Sequence, residues 1–435
     1  MKKLLFAFVL TLLYLIGLSS CTDEAFDVDT VNKQTILVFM PWSGSSNSQG
    51  LTYYLSNNID SICQGIVDKK GLNNTRVLVF FSESAGSSTL YDLQYDATRK
   101  SVSRVPIKTY EGSSYNSAEG FASILDDVKA NAEALNYALI VGGHGAGWTY
   151  ADDWQNYPVN AKPYTASQGQ PATPAAPSFS GISFGVDDNL PLTRLHGDDS
   201  SNPQTRFFGS VSRKENSIDV TTLAEGIKMS GIKMQYILFD ACYMGNVETA
   251  YELKDVTNYL VSSSSEIMAA GIPYRTIWSS LNGATPSYSS FVASSINYYK
   301  NSNSPYLNLA AIDCRQLDDL ASVMKEINDR YTLSASIPLD SIQPLDGFTP
   351  HLFYDLGVYV DSICPVGVLK DRFNTQLKKV VKSSDSTEKI YSSLPGGNGQ
   401  YYTVKSYSGL SISDPSQHAV ALRGREKTGW WKATH

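Results

Sequence analysis

The sequence is poor in cysteine. Its 435 residues include five cysteines, Cys21, Cys63, Cys242, Cys314 and Cys364. No two of them form a Cys-x-x-Cys pair, and their wide spacing favours neither a zinc site nor a disulfide framework. If one of the last four is a nucleophile, the remaining three cannot all pair, and at least one further free thiol is expected.

Basic residues are scarce as well. Lysine and arginine together number 35 against 42 aspartates and glutamates, which gives a formal net charge of −7 at pH 7. No basic cluster interrupts this acidic balance. Nucleic acid is therefore not expected as a partner, and neither is an anionic lipid surface held by charge.

An apolar run occupies the N-terminus. It covers residues 4–18, follows Lys2 and Lys3, and is shorter than the ~20 residues that a membrane-spanning helix needs. This pattern predicts a signal peptide over residues 1–20. Its removal would take away two basic residues and leave a net charge of about −9.

Residues 18–21 read LSSC, which resembles the lipobox of bacterial lipoproteins. In such proteins the cysteine thiol, here that of Cys21, takes a diacylglyceryl group. The next residues, TDEAFD, resemble the export signal of surface-exposed lipoproteins of the Bacteroides group, and residues 21–34 would form an acidic tether. The resemblance implies a bacterial outer-membrane lipoprotein that contacts the membrane through the lipid on Cys21. The simpler alternative is a secreted protein with an incidental cysteine near its cleavage site.

Short aliphatic runs alternate with helical patterns along most of the chain. Residues 51–66 and 121–128 have apolar side chains at helical spacing. Strands are predicted at residues 35–40, 76–81, 137–142, 235–240, 259–263 and 308–313. These strands are apolar on both faces, as buried parallel strands are. The pattern predicts an α/β fold with a mostly parallel central sheet and helices on both faces.

The main α/β domain is expected over residues 35–335. Within it, residues 150–216 are rich in proline, serine, glycine and asparagine with little periodicity, and so long a loop is expected to be an exposed insertion. A helix is predicted to resume after Asp219, which can serve as its N-cap. Residues 336–435 contain shorter strand-like runs and are expected to form a smaller C-terminal region packed on the main domain.

Two of the predicted buried strands end in residues that can do chemistry. The strand at 137–142 is followed by His144, and the strand at 235–240 is followed by Cys242. The carboxyl ends of neighbouring strands form the ligand crevice of open α/β sheets, so both side chains can face one bound molecule. A small buried cysteine and a glycine-histidine turn are also common structural features, and strand position alone leaves both interpretations open.

Together, a histidine and a cysteine suffice for acyl transfer. A nearby imidazole and the N-terminus of a helix predicted over residues 245–256 would lower the pKa of the Cys242 thiol and favour its thiolate. A carbonyl under attack also needs backbone N–H donors close by. The N–H groups of Gly145 and Cys242 could form this oxyanion hole, because glycine allows a close approach.

Residues 144–148 (HGAGW) and 240–248 (DACYMGNVE) are similar to the two signature motifs of the clostripain family of cysteine peptidases, which have the caspase-hemoglobinase fold. The resemblance extends to further segments at residues 265–268, 271–274, 351–356 and 408–412. It therefore covers essentially the whole mature chain. The resemblance implies a cysteine endopeptidase that acts on proteins or peptides and requires no cofactor. His144 would be the general base and acid, and Cys242 would be the nucleophile that forms a thioester acyl-enzyme.

The resemblance also assigns Asp240 to the pocket for the substrate residue that precedes the scissile bond. The alternative is an aspartate that accepts hydrogen bonds from local N–H groups at its strand end. Relatives with strict Arg or Lys preference carry a second pocket acid, whereas residues 268–271 read MAAG here. Glu266 could replace that acid if its side chain points into the pocket. Basic specificity is therefore not predicted.

No third catalytic residue is expected from the resemblance, because in this family the histidine works without an obligatory acid. The residues themselves do not select one either, since Asp152, Asp153 and Asp240 all qualify. A catalytically silent scaffold lipoprotein of the same fold, or a cysteine amidase or transpeptidase, stays open as an alternative. The presence of both His144 and Cys242 favours an active enzyme.

The 150–216 insertion has a further implication. In related enzymes the loop between the histidine and cysteine strands is where self-cleavage matures the zymogen. This insertion offers five basic residues for such a cut, Lys162, Arg194, Arg206, Arg213 and Lys214. A merely decorative surface loop is the alternative. Acidic pairs at residues 187–188 and 198–199 could bind Ca²⁺, which some relatives use, although exposed acidic loops are usually only solvated.

Overall fold

The computed structural model describes residues 32–44, 50–155, 184–186, 190–192, 208–209, 217–393 and 400–435. The predicted signal peptide, Cys21 and most of its acidic tether lie outside these ranges. So do most of the 150–216 insertion, its five basic residues and both acidic pairs. Those predictions therefore stay predictions.

The described strands are, in chain order, β1 (Gln34–Met40), β2 (Thr75–Ser84), β3 (Ser87–Asp96), β4 (Ser101–Glu111), β5 (Tyr137–Gly142), β6 (Phe184–Val186), β7 (Leu190–Leu192), β8 (Phe208–Gly209), β9 (Ser217–Ile218), β10 (Met234–Asp240), β11 (Tyr259–Ser262), β12 (Asn308–Asp313), β13 (Tyr354–Asp355), β14 (Val381–Ser386), β15 (Lys389–Ser392), β16 (Gln400–Thr403) and β17 (Ser411–Ile412).

The described α-helices are α1 (Leu51–Asp68), α2 (Ala118–Asn131), α3 (Ala151–Gln155), α4 (Val220–Met229), α5 (Val247–Leu253), α6 (Tyr274–Leu281), α7 (Tyr288–Lys300), α8 (Leu317–Asn328), α9 (Leu356–Ile363), α10 (Val368–Val380), α11 (Ala419–Gly424) and α12 (Gly429–Thr434). Within the ranges given above, none of the helices combines the length and the apolar character needed to cross a bilayer.

A nine-stranded sheet forms the centre of the molecule, in the order β14-β12-β11-β10-β5-β1-β2-β3-β4. Its five middle strands, from β11 to β2, are parallel. The two strands at each edge pair antiparallel to their neighbours. The predicted α/β fold with a mostly parallel central sheet is therefore confirmed, and the antiparallel strands are additions at its edges.

Alternate side chains of the middle strands enter two different cores. In β1, Ile36 and Val38 face the core that includes α1, α6 and α7. Leu37 and Phe39 face the opposite core, which includes α2, α4, α5 and α8. All four side chains are buried, so this stretch of the strand is apolar at consecutive positions rather than at every second one. Helices on both faces explain why these strands read as continuous apolar runs.

All six strands predicted from the sequence are present, within three residues of their predicted bounds. The predicted helix at 245–256 is shorter and covers Val247–Leu253, because the Asn246 side chain accepts a hydrogen bond from Thr249 N at 2.7 Å and caps it. The sequence did not predict the edge strands β3, β4 and β14. Their polar, partly exposed side chains give no apolar run to recognise.

The C-terminal residues reach the carboxyl edge of the sheet. β17 lies beside the segment that follows β10, where Ser411 N donates to Gly245 O at 3.0 Å. Two residues on, Ser413 N donates to the Glu248 carboxylate on α5 at 2.7 Å. Both Glu248 and Asp414 are buried. The C-terminal region is thus joined to α5 through a buried acidic side chain.

Burial raises the pKa of Glu248 to about 8, and the neighbouring Asp414 carboxylate adds to this increase. Burial also raises the pKa of Asp414, to about 7, against the lowering influence of Arg425. Both folded-state pKa values exceed those of the unfolded chain, which are about 4. The folded protein therefore holds protons that the unfolded chain has lost. This contribution to stability is complete below about pH 4, is lost progressively as the pH rises, and is gone once the pH has passed the folded-state pKa values of about 7 and 8.

We expect Glu248→Gln to relieve this loss at high pH. The amide oxygen can still accept the hydrogen bond from Ser413 N, but the side chain cannot ionise. The difference in melting temperature between the variant and the wild type should shift in favour of the variant as pH rises from 5 to 9, measured by thermal unfolding at constant ionic strength. The matched control is Glu225→Gln on the exposed face of α4. The prediction would be contradicted if the difference in melting temperature between Glu248→Gln and the wild type did not change with pH.

Candidate active site

Two neighbouring strands of the parallel sheet end at the same level. Gly142, the last residue of β5, pairs with Asp240, the last residue of β10. Gly143 N also donates to Asp240 O at 3.3 Å. The chain then runs two residues further on each side, to His144 and to Cys242. The structure therefore places the predicted histidine and cysteine beyond the carboxyl ends of two neighbouring strands, and both are half-buried.

Gly145 lies directly against the backbone of Cys242. A Cβ atom built on Gly145 would be 2.9 Å from Cys242 N and still closer to Cys242 O. Any other residue would collide there, so glycine is required for this approach. The contact brings together the backbones of the two residues whose N–H groups are the predicted oxyanion-hole donors.

The Cys242 thiol contacts the segment that follows β11. Ile267 N donates to Cys242 Sγ at 3.4 Å, and the thiol lies 3.8 Å from Ile267 O. Donation from this N–H group stabilises the thiolate, whereas donation from the thiol to Ile267 O stabilises the protonated form. On another side, Cys242 packs against an aromatic cluster that includes Trp148 and Phe353. The sulfur is thus held between a polar backbone edge and an apolar wall.

Tyr243, which follows Cys242, has a backbone φ of 62°. This left-handed conformation is unusual for a bulky residue. Tyr243 N donates to Ser265 O at 3.0 Å and Gly245 N donates to Ser263 O at 2.7 Å. The segment after the cysteine therefore lies along the continuation of β11, which holds the sharp turn in place.

Asp240 is buried, with 5% of its surface exposed. Its Oδ1 atom accepts a hydrogen bond from Ile272 N at 3.2 Å, and its Oδ2 atom accepts one from Tyr274 Oη at 2.9 Å. Gly271, with φ of +71°, approaches the carboxylate so closely that a Cβ there would lie 2.8 Å from Oδ1. Burial raises the pKa of Asp240 to about 6 against the lowering effect of these hydrogen bonds. The carboxylate lies beneath the segment after β11, close to the cysteine in sequence.

Glu266 is buried on the same segment, with 7% exposure. Its Oε1 atom accepts hydrogen bonds from Tyr243 Oη at 2.7 Å, Ser392 Oγ at 2.6 Å and Ser393 N at 2.7 Å. The carboxylate oxygen therefore joins the residue after Cys242 to the end of β15. Nothing in the sequence around Glu266 indicated these partners, since Ser392 and Ser393 lie more than a hundred residues away.

The acids considered as a third catalytic residue occupy different surroundings. Asp152 is exposed on α3, whereas Asp153 is buried and accepts a hydrogen bond from Lys427 Nζ at 2.6 Å. Asp240 is engaged by the segment after β11, as described above. Among the residues that the structure describes, no group of three or more His, Cys, Asp or Glu side chains is arranged to hold a metal ion.

The C-terminal residues that contact the site were not predicted from the sequence. Trp148 Nε1, at the end of the histidine motif, donates to Ser413 Oγ at 2.9 Å. The Tyr243 ring stacks on Phe353, with centroids 5.4 Å apart and planes inclined by 18°. Both partners lie in or beside the segments at 351–356 and 408–412 on which the resemblance rested. The similarity of these two segments to the family was therefore the signal in the sequence that pointed to them, although it gave their residues no role.

A sequence model of the clostripain family (Peptidase_C11) matches residues 192–417 of this chain. Among solved structures, iotapain, a secreted C11 cysteine protease from Bacteroides thetaiotaomicron, is 34% identical with a TM-score of 0.76. That alignment covers 93% of this chain and 99% of the other. No curated protein matches the sequence significantly.

Two further structures are similar. A clostripain from Bacteroides thetaiotaomicron, in complex with the peptide inhibitor BTN-VLTK-AOMK, is 44% identical with a TM-score of 0.50, over 53% of this chain and 99% of the other. An inactive zymogen C11 protease from Parabacteroides distasonis is 24% identical with a TM-score of 0.71, over 93% and 99%. At that identity, the second similarity shows the fold alone.

The family model spans more than half of the chain, and iotapain aligns over nearly the whole length of both proteins. The resemblance inferred from the sequence motifs is thereby confirmed. This chain belongs to the clostripain family of cysteine peptidases.

Proposed function

We propose that this peptidase is an endopeptidase in which Cys242 is the nucleophile and His144 transfers the protons. The observation that carries the proposal is the pairing of Gly142 with Asp240, which places both residues two positions beyond adjacent strand ends. The relative that binds a peptide inhibitor supports a peptide as the substrate. The chemistry follows from the groups that this edge of the sheet presents.

In the first half-reaction, His144 takes the proton of Cys242 Sγ, and the thiolate attacks the carbonyl carbon of the scissile bond. The oxygen that becomes negative accepts hydrogen bonds from the N–H groups of Gly145 and Cys242. His144 then gives its proton to the departing amine, and a thioester remains on Cys242. In the second half, water loses a proton to His144 and attacks the thioester, which releases the carboxylic acid and restores the thiol.

Asp240 is proposed as the acid of the pocket for the residue that precedes the scissile bond. It belongs to the cysteine strand, and the inhibitor of the 44%-identical relative contains lysine next to its AOMK group. Residues 268–271 (MAAG) supply no second acid, so a single buried carboxylate would have to attract the basic side chain. We therefore propose a preference for basic residues rather than a strict requirement.

We further propose that cleavage within residues 150–216 matures the enzyme. The insertion lies between His144 and Cys242 in the chain, so a cut within it can free the crevice that these two residues face. A family member of the same fold exists as an inactive zymogen, which supports the existence of such a state in this fold. A cut after one of the five basic residues of the insertion would agree with the proposed pocket.

The last element of the proposal is the membrane anchor. The LSSC motif and the preceding apolar run support lipidation of Cys21 and attachment to the outer membrane. Residues 21–34, which begin with the cysteine of the motif, would form an acidic tether between the lipid and the peptidase domain. The relative iotapain is a secreted protease, which agrees with export of this protein from the cytoplasm.

Cys242→Ala and His144→Ala should each lower peptide turnover about a thousandfold or more, because either change removes the nucleophile or its proton acceptor. Cys242→Ala should also keep residues 150–216 intact, whereas the wild type should cut itself under reducing conditions. Turnover is measured on a peptide library and self-cleavage by gel, with mass spectrometry of the new termini. The matched control is Cys314→Ala, a buried thiol at the end of β12.

Three outcomes would contradict this assignment. Wild-type turnover by Cys242→Ala would exclude the nucleophile. A folded wild type that stays inactive even after limited proteolysis of the insertion would indicate a silent scaffold. Transfer of the acyl group to an added amine in preference to water would indicate a transpeptidase.

The preference of the pocket should depend on the charge of Asp240. We compare kcat/KM for two peptides that differ only in lysine or norleucine before the scissile bond, since their ratio cancels the titration of the catalytic residues. In the wild type the lysine-to-norleucine ratio should fall as pH drops through about 6, because protonation of Asp240, whose pKa is about 6, removes the negative charge. In Asp240→Asn the ratio should be at least about tenfold lower at pH 8 and independent of pH.

The control is Asp92→Asn, which changes a buried acid on β3. An unchanged ratio in Asp240→Asn would exclude Asp240 from the pocket.

Cys21→Ser should release the protein from the membrane. In a bacterial host with a lipoprotein pathway, the wild type should incorporate a clickable palmitate analogue and enter the detergent phase of a Triton X-114 separation. The Cys21→Ser variant should do neither, while the control Cys63→Ser should behave as the wild type. Equal labelling of wild type and Cys21→Ser would contradict lipidation at this position.

A further inference from the structure

Tyr243 differs from the other left-handed residues of the described chain that are not glycine. Those residues, Lys70, Asn73, Asn74 and Lys100, are all exposed. Tyr243 is fully buried and bulky, and it directly follows the proposed nucleophile. A left-handed conformation is unfavourable for such a residue, so the surrounding contacts must hold it.

The hydroxyl of Tyr243 supplies one of these contacts. It donates to Glu266 Oε1 at 2.7 Å inside the protein. The same oxygen accepts hydrogen bonds from Ser392 Oγ and Ser393 N, at 2.6 and 2.7 Å. Glu266 is therefore fixed from the C-terminal region and in turn fixes the end of the tyrosine ring. The face of the ring is held separately by its stacking on Phe353.

The residue after Glu266 contacts the sulfur itself. Ile267 N donates to Cys242 Sγ at 3.4 Å, and the segment is also tied to the nucleophile turn by Tyr243 N, which donates to Ser265 O at 3.0 Å. Displacement of Glu266 would move both the left-handed turn and the N–H group at the thiol. The same displacement would alter the Cys242 carbonyl, which lies against Gly145.

We propose that Glu266 is a positioning residue, which holds the turn after Cys242 through the Tyr243 hydroxyl and holds the thiol through the adjacent Ile267 N–H. This inference rests on the proposed function, because it takes Cys242 as the nucleophile. It assigns Glu266 a role other than the substrate-binding one considered from the sequence. In this role the Glu266 carboxylate acts as a hydrogen-bond acceptor within the protein and does not contact the substrate.

Two readouts test the positioning role. Steady-state kinetics with the lysine and norleucine peptides separate kcat from KM. The rate of Cys242 alkylation by iodoacetamide, followed by mass spectrometry of the peptide that contains Cys242, reports on the thiol without any substrate pocket. Both are measured for Tyr243→Phe, Glu266→Ala, Glu266→Gln and the double variant Tyr243→Phe/Glu266→Ala. Tyr407→Phe is the matched control, since its partly buried hydroxyl contacts Ser264 Oγ and Gly409 O instead.

Tyr243→Phe and Glu266→Ala should each lower kcat about tenfold or more for both peptides, with KM little changed, and should slow alkylation and shift its pH profile upward. The double variant should be no less active than the less active of the two single variants, because both changes break the same contact. Glu266→Gln keeps an acceptor oxygen and should stay within about threefold of the wild type. Tyr407→Phe should match the wild type.

Wild-type kcat and alkylation rates in Tyr243→Phe and Glu266→Ala would overturn the proposal. A loss confined to the lysine peptide, and equal in Glu266→Gln and Glu266→Ala, would return Glu266 to substrate binding. If Glu266→Ala does not fold, Tyr243→Phe decides, since it removes a single oxygen. Failure of the proposed function is recognised separately, by activity that survives in Cys242→Ala.

Discussion

The site depends on one backbone pairing, that of β5 with β10. The two strands are parallel neighbours and end together at Gly142 and Asp240. Because they share this level, the next residues of each chain segment leave the sheet side by side, and Gly145 meets the backbone of Cys242. A register shift of one residue in either strand would turn its side chains to the opposite face of the sheet. His144 and Cys242 would then no longer lie at matching positions beyond the two strand ends. The two helical layers keep this register, since alternate side chains of the strands are buried in two separate cores.

Three buried carboxylates surround the segment that contains Cys242, and their partners give them different roles. Burial of a carboxylate is unfavourable unless hydrogen bonds compensate. Each of the three therefore accepts a hydrogen bond from a backbone N–H group: Asp240 from Ile272, Glu266 from Ser393 and Glu248 from Ser413. These bonds fasten three separate segments of the chain to the end of β10, to the segment after β11 and to α5, respectively. The three acids thus hold the chain segments around the proposed nucleophile in place, and this role does not depend on which of them also contacts the substrate.

The C-terminal region completes this arrangement. Ser411 donates to Gly245 O, and Ser413 accepts from Trp148 Nε1, so residues near the end of the chain contact both the cysteine and the histidine segments. Phe353 stacks on Tyr243 from the same region. Separation of this region from the main domain would leave Glu266 without Ser392 and Ser393. The nucleophile turn therefore depends on residues more than a hundred positions away.

The middle of the sheet could be predicted from the amino-acid sequence, because strands buried on both faces read as continuous apolar runs, and all six predicted strands are present. Its motifs also determined the family, since the histidine and cysteine segments are distinctive in residue type and spacing. Two features became visible only in the folded chain: the edge strands, whose polar side chains carry no apolar signal, and the partners of the buried acids. The direction of the Glu266 side chain depends on β15, because Ser392 at the end of that strand donates a hydrogen bond to its carboxylate. Ser392 and Glu266 are 126 positions apart, and no local pattern specifies a hydrogen bond over such a separation. Local periodicity records which side chains must leave water, whereas the partner of a buried polar group is set by long-range packing.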